Sequence, residues 1–152
     1  MDGIAVTNST CLIGLERISK TDLLPQVFST VFAPPMVVAE IRSYLSWLKV
    51  QQVKNTAIVA TLKTQMDPGE AETIALAMEL GDVILILDDK KARRVALEIG
   101  LKVTGTVGML LRAKSQGVIN EIKPLLEELL QADFRISDRL IKEALKRAGE
   151  AS

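Results

Sequence analysis

The chain has no histidine among its 152 residues. That absence removes Ser-His-Asp and Cys-His nucleophiles, histidine zinc sites and imidazole acid–base catalysis together. The single cysteine, Cys11, excludes an internal disulfide. Flanked by apolar residues and with no imidazole to activate it, it reads as a small buried residue in a reducing, cytoplasmic setting. Charge of either sign is not in excess: 19 basic and 19 acidic residues cancel, so no global field recruits nucleic acid, although a local basic patch is compatible with this balance. No apolar run approaches the roughly 18 residues of a membrane helix, and no basic segment followed by a hydrophobic run opens the chain, so the expectation is a soluble protein without membrane contact. Neither a Walker-type glycine loop nor a strand leading into G-x-G-x-x-G is present, which leaves no signature for nucleoside triphosphates or dinucleotides. Carboxylate chemistry remains, with a metal as its natural companion.

What is present begins with apolar material, 48% of the residues, enough for one domain with a substantial core. The organising stretch is Val83-Ile84-Leu85-Ile86-Leu87 followed by Asp88-Asp89-Lys90-Lys91-Ala92-Arg93-Arg94. An apolar run without alternation describes a strand buried on both faces, as in a parallel sheet covered by helices. Ligands bind beyond the carboxyl ends of such strands, so the acidic pair sits where chemistry is usually found. The structural alternative is that Asp88 or Asp89 only caps the helix beginning near Lys90.

In chain order, Ile4–Thr7 predicts a first strand, with Asn8-Ser9-Thr10 capping a helix through Leu12, Ile13, Leu15 and Ile18. Thr21-Asp22 opens a short helical segment, and Val31-Phe32-Ala33 predicts a second strand. Pro34-Pro35 then starts a helix expected over Met36–Trp47, with Glu40 on it. A brief strand is expected at Val50–Val53 and a helix at Ala57–Lys63. The turn Asp67-Pro68-Gly69 leads into a long helix over Ala71–Leu80, with Glu70 in its first turn, where the helix dipole alone would favour an acid. Lys90–Ile99, stopped by Gly100, predicts another helix, Leu101–Val103 a last strand, and Met109–Gln116 a helix capped by Thr106. Ile119–Leu130 and Ser137–Ala148 predict two amphipathic helices. The fold class is α/β: a three-layer α/β/α sandwich with a short parallel sheet of four or five strands over residues 1–120, and a carboxy-terminal helical appendage, residues 121–152, packed on the same domain.

Four blocks recur together in order: Val6-Thr7-Asn8-Ser9-Thr10 with Leu12-Ile13; Pro35, Val38 and Glu40-Ile41; Gly69-Glu70-Ala71-Glu72 with Ile74-Ala75-Leu76-Ala77; and Asp88-Asp89-Lys90 with Ala92-Arg93. With Gly105-Thr106, Gly108, Ala113-Lys114 and Gly117, they resemble a PIN-domain protein of the compact prokaryotic group related to toxin–antitoxin ribonucleases. The resemblance covers about residues 3 to 120, and its Gly-Glu-Ala-Glu and Asp-Asp-Lys blocks are the most specific.

The resemblance implies an endoribonuclease dependent on Mg2+ or Mn2+, in which acids from separate segments gather at one end of the sheet. Carried over singly, Glu40, Glu70 and Asp88 are the catalytic candidates. Asn8, Glu40, Glu70, Asp88 and Asp89 are the metal-ligand candidates, and Lys90, Arg93, Arg94 and Thr106, with Lys91, are candidate RNA contacts. Clustered carboxylates repel unless a cation neutralises them, and hard oxygen ligands suit these ions. RNA, an antitoxin protein and a second copy of the chain are the implied partners. The apolar sides of Val118–Leu130 and Ile136–Leu145 also prompt the homodimer expectation. One position departs from the family pattern: Asn8 stands where the first aspartate is usual, and its amide oxygen can coordinate a cation but brings neither charge nor a base. A catalytically weakened PIN scaffold that binds RNA or a protein is therefore the competing reading. A phosphohydrolase using an aspartate nucleophile after an early strand is disfavoured, since Asn8 cannot be that nucleophile.

Overall fold

Alternate residues of the central strands feed two separate apolar cores, one on each face of a single parallel sheet. In the computed structural model, which describes residues 3–151, the elements run β1 (Ile4–Thr7), α1 (Ser9–Arg17), α2 (Leu23–Val27), β2 (Thr30–Ala33), α3 (Pro35–Val38), β3 (Leu48–Val50), α4 (Thr56–Leu62), α5 (Pro68–Leu80), β4 (Ile84–Ile86), α6 (Lys90–Ile99), β5 (Lys102–Thr104), α7 (Thr106–Ser115), α8 (Lys123–Gln131) and α9 (Asp138–Ala148). The sheet order is β3-β2-β1-β4-β5, all parallel. Ala5, Val31, Ala33 and Ile86 point into the core beneath α1, α2, α7 and α8, whereas Val6, Leu85 and Leu87 point into the core beneath α5 and α6. Side chains on successive strand residues face opposite ways, so an unbroken apolar run fills both layers.

This order places a topological switch between β1 and β4. The chain leaves β1 toward one edge of the sheet and β4 toward the other, opening a crevice beyond their carboxyl ends. The register pairs Thr7 with Ile86, so Asn8 and Asp88 leave neighbouring strands at that crevice.

The carboxy-terminal helices share the domain's core. Leu125, Leu126 and Leu129 of α8 and Ala144 of α9 are buried in the same cluster as Leu12 and Phe28, with Ile136, Ile141 and Leu145 packed against it. The apolar faces that prompted the dimer expectation are thus used within the chain, and Leu130 and Leu140 are their exposed large residues. The Glu150 carboxylate fastens this region: it accepts from the backbone N–H of Ile122 (2.8 Å) and Lys123 (3.0 Å) and from Lys114 Nζ (2.9 Å). Burial alone would raise its carboxyl, but these donors hold it below the ordinary carboxylate range. Among the described residues no helix is long and apolar enough to cross a membrane.

Two expectations are corrected. The helix expected over Met36–Trp47 ends at Val38. Ile41, Leu45 and Trp47 keep helix-like spacing, but they pack on the core from a loop whose Ser43 N–H donates to Glu16 Oε2 at 2.7 Å. The third strand is Leu48–Val50, ahead of the expected Val50–Val53.

Candidate active site

Asp88 is held on both oxygens by one residue. The backbone N–H of Thr106 donates to its Oδ1 at 2.8 Å and the Thr106 hydroxyl to its Oδ2 at 2.7 Å. Thr106 is the first residue of α7, with Gly105 in the capping position and no side-chain cap. This corrects two assignments: Thr106 does not cap its helix, and being fully buried with both donors committed to Asp88, it cannot contact RNA. Its role is to aim the carboxylate. Gly105 allows the approach, since a Cβ there would lie 3.0 Å from Asp88 Oδ1 and 3.5 Å from an Arg93 guanidinium nitrogen. Burial raises the Asp88 carboxyl above its ordinary value, opposed by the two Thr106 donors and by the Arg93 charge.

Asp89 is committed differently. Its Oδ2 accepts from the N–H of Ala92 at 2.9 Å, so it is the cap of α6. Glu70 and Asp67 form a reciprocal capping box at the start of α5, with Glu70 N–H to Asp67 Oδ1 at 2.8 Å and Asp67 N–H to Glu70 Oε1 at 3.3 Å. Even so, Glu70 faces a cleft of about 460 Å³ whose walls include Asp88, Asp89, Arg17 and Phe134. Burial, then the charges of Asp67 and Asp89, push its carboxyl up to about 7.

Glu40 does not line that cleft, though it lies beside the residue that precedes Glu70. It sits in the turn after α3, exposed, with Oε1 against Gly69, where a Cβ would come within 3.0 Å of it. Among the described residues no three acidic or thiol side chains stand close enough together to make a preformed metal cage. The other oxygen at the crevice is Asn8. The residue occupies the capping position of α1 but makes no cap hydrogen bond, and its Oδ1 is buried with no partner. A buried acceptor left unpaired costs on the order of 1–3 kcal/mol, so this oxygen calls for a donor or a cation. Oxygen donors of this kind, an amide carbonyl and isolated carboxylates, suit a hard divalent cation that keeps several of its waters better than one enclosed by protein ligands.

Cys11 lies beneath the site. Burial and the Asp88 charge push its thiol up to about 12, leaving it a neutral packing residue. Of the basic candidates, Arg93 is half-buried beside Asp88, whereas Lys90, Lys91 and Arg94 are exposed along α6. The sequence reading missed Arg17, Phe134 and Arg135 as walls of the cleft. One available signal was Gly14 on an otherwise bulky helix: a Cβ there would fall 2.6 Å from the Phe134 ring, which can seat on α1 only because the position is bare.

The raised Glu70 carboxyl has a pH consequence. The folded protein holds this proton up to about pH 7, whereas the ordinary value is 4.5. Ionising Glu70 therefore removes stability as pH rises through that window, and the loss is complete above it. Glu70→Gln keeps the capping-box acceptor and removes the charge. Its melting temperature should exceed the wild-type value at pH 8 and coincide with it below pH 4.5, which differential scanning calorimetry across the window checks.

A family profile described as a PIN domain matches residues 4–150. No curated protein matches the chain.

Proposed function

The chain belongs to the PIN-domain family, and from that premise we propose that it is a divalent-metal-dependent ribonuclease. The observation that carries this reading is the unpartnered, buried Asn8 Oδ1 at the end of β1, beside the strand end that bears Asp88. Asn8, Asp88 and Glu70 would hold Mg2+ or Mn2+. When bound, such an ion supplies an acidified water and neutralises charge on the phosphodiester.

The residues of the chain do the remainder. Thr106 fixes the Asp88 carboxylate so that both oxygens keep one orientation. Glu70, on the wall of the same cleft, supplies the second carboxylate of that donor set. Arg17 and Arg135, on the walls of the cleft, supply positive charge to a phosphate facing those acids. A finer form of the proposal makes the chain the toxin of a toxin–antitoxin pair, with an antitoxin and a second copy as partners.

A second reading, a scaffold that binds RNA and cuts it little, is favoured by Asn8 itself and by the lack of a three-acid cluster among the described residues. Asn8→Asp separates the two. It should lower the melting temperature in EDTA, because it adds a buried negative charge near Asp88. It should also tighten Mn2+ by about 1–2 kcal/mol, roughly tenfold, and raise RNA cleavage. In an Asp88→Asn background the same change should do little. Identical Mn2+ titrations of wild type and Asn8→Asp would remove Asn8 from any metal site, and RNA binding without cleavage in both would favour the scaffold.

A further inference from the structure

Beside Asp88 lies a second cavity, about 400 Å³, whose walls include Asp88, Arg93, Phe134, Arg135, Glu143 and Arg147. Asp88, Phe134 and Arg135 belong to both cavities, so the acidic cleft and the arginine cavity are two compartments on either side of one partition. Arg93 comes from α6, Arg147 from α9 and Arg135 from the connection between α8 and α9. None of the three guanidinium groups makes an ion pair among the described residues. The acid nearest to hand on α9, Glu143, is engaged by Arg139 at 3.3 Å. Arg93 faces the Asp88 carboxylate on the same wall, which leaves Arg135 and Arg147 as the guanidinium groups without an acidic partner, and their planar donors match phosphate oxygens.

We propose that the arginine cavity holds the phosphate next to the one at Asp88 on a single-stranded RNA. The ligand chemistry rests on the ribonuclease reading above; the charge and the enclosure are independent of it. Continuity through Asp88 favours a nucleic acid over an acidic peptide, since a strand crossing the partition presents successive phosphates to the two compartments. A cavity of this volume admits a nucleotide-sized group and excludes a duplex. Phe134, half-buried on the partition, offers the strand an aromatic face.

The test is fluorescence anisotropy of a short labelled single-stranded RNA in EDTA, titrated with salt between about 50 and 200 mM. Arg135→Ala and Arg147→Ala should each reduce the logarithmic salt slope by about 0.7 and weaken binding several-fold at the low-salt end, because each removes a phosphate contact. Arg135→Lys should keep the slope. Lys63→Ala, on the remote end of α4, should leave slope and affinity unchanged, and a duplex of the same sequence should bind more weakly. Both arginines are exposed, so melting temperatures should stay at the wild-type value and exclude misfolding as the cause.

An unchanged slope in Arg147→Ala, whose residue lines the arginine cavity and not the acidic cleft, overturns the proposal whatever Arg135→Ala does, as does the absence of RNA binding or equal competition by a poly-glutamate peptide of matched charge. Cleavage measured in parallel with Mn2+ separates the two claims. Cutting with unchanged slopes removes the cavity proposal alone, whereas reduced slopes without cutting remove the ribonuclease reading and leave the cavity as a site for single-stranded RNA.

Discussion

Asp88→Asn should lower RNA cleavage by roughly 10²–10³-fold while the protein stays folded. The Thr106 N–H can donate to the amide oxygen of Asn, and the Thr106 hydroxyl can rotate to accept from its amide nitrogen, so both contacts survive in altered polarity. What disappears is the charge. Burial already disfavours that charge, so removing it should leave the melting temperature equal to or above the wild-type value in EDTA. The same variant should lose the thermal stabilisation that Mn2+ gives the wild type. A single-turnover cleavage assay with calorimetry on both proteins checks the pair of outcomes. Wild-type cleavage by Asp88→Asn would place the chemistry elsewhere on the chain.

The largest expected effect on stability lies next to this site, at Gly108. A Cβ there would overlap the Thr104 hydroxyl, with the Thr104 Cβ 3.5 Å away. Gly108→Ala should therefore cost about 2–3 kcal/mol by overpacking and lower the melting temperature by roughly 5–10 °C. Adding Thr104→Ala should restore most of the loss, because the new methyl then meets only the remaining Cβ at ordinary contact distance. Gly108 lies in the first turn of α7, two residues after Thr106, so the single variant should also disturb the Thr106–Asp88 pair and depress cleavage, and the double variant should recover it. Thermal melts of wild type, both single variants and the double variant form the cycle that tests this coupling.

How much could be read from the sequence follows the range of the interaction involved. The run Val83–Leu87 and the helix Lys90–Ile99 were legible because period, cap and stop signal are local: Asp89 caps, Gly100 ends in the left-handed region at φ 99°, and the apolar positions between them agree. Which of Asp88 and Asp89 caps was not legible, since the answer depends on Thr106, 18 residues further along. The end of α3 misled because Ile41 and Leu45 have helical spacing while their loop is held by Glu16, 27 residues earlier. Glu70 was visible as an acid in a first turn, but its proton affinity comes from burial and from Asp67 and Asp89, and Asp89 lies on another element. Arg135 and Arg147 were invisible as cavity walls, because only folding brings the carboxy-terminal helices beside Asp88.

The fastening of that helical pair has a dynamic consequence. Ala144 is the one α9 residue buried outright among those described, Ile141 and Leu145 being only partly buried against the core, and the Glu150 carboxylate, with its three donors, ties down the segment just beyond it. Such an element belongs at the low end of the local-opening scale, detaching at a free energy well below that of global unfolding. Amide exchange should accordingly show α9 as an early-exchanging unit while the protons of β1 and β4 persist. Each opening would carry Arg147 away from the crevice and expose the partition from behind, without disturbing the sheet that bears Asp88. Below the point at which Glu150 takes up a proton these excursions should become frequent, so acid would loosen this helix before it unfolds the protein.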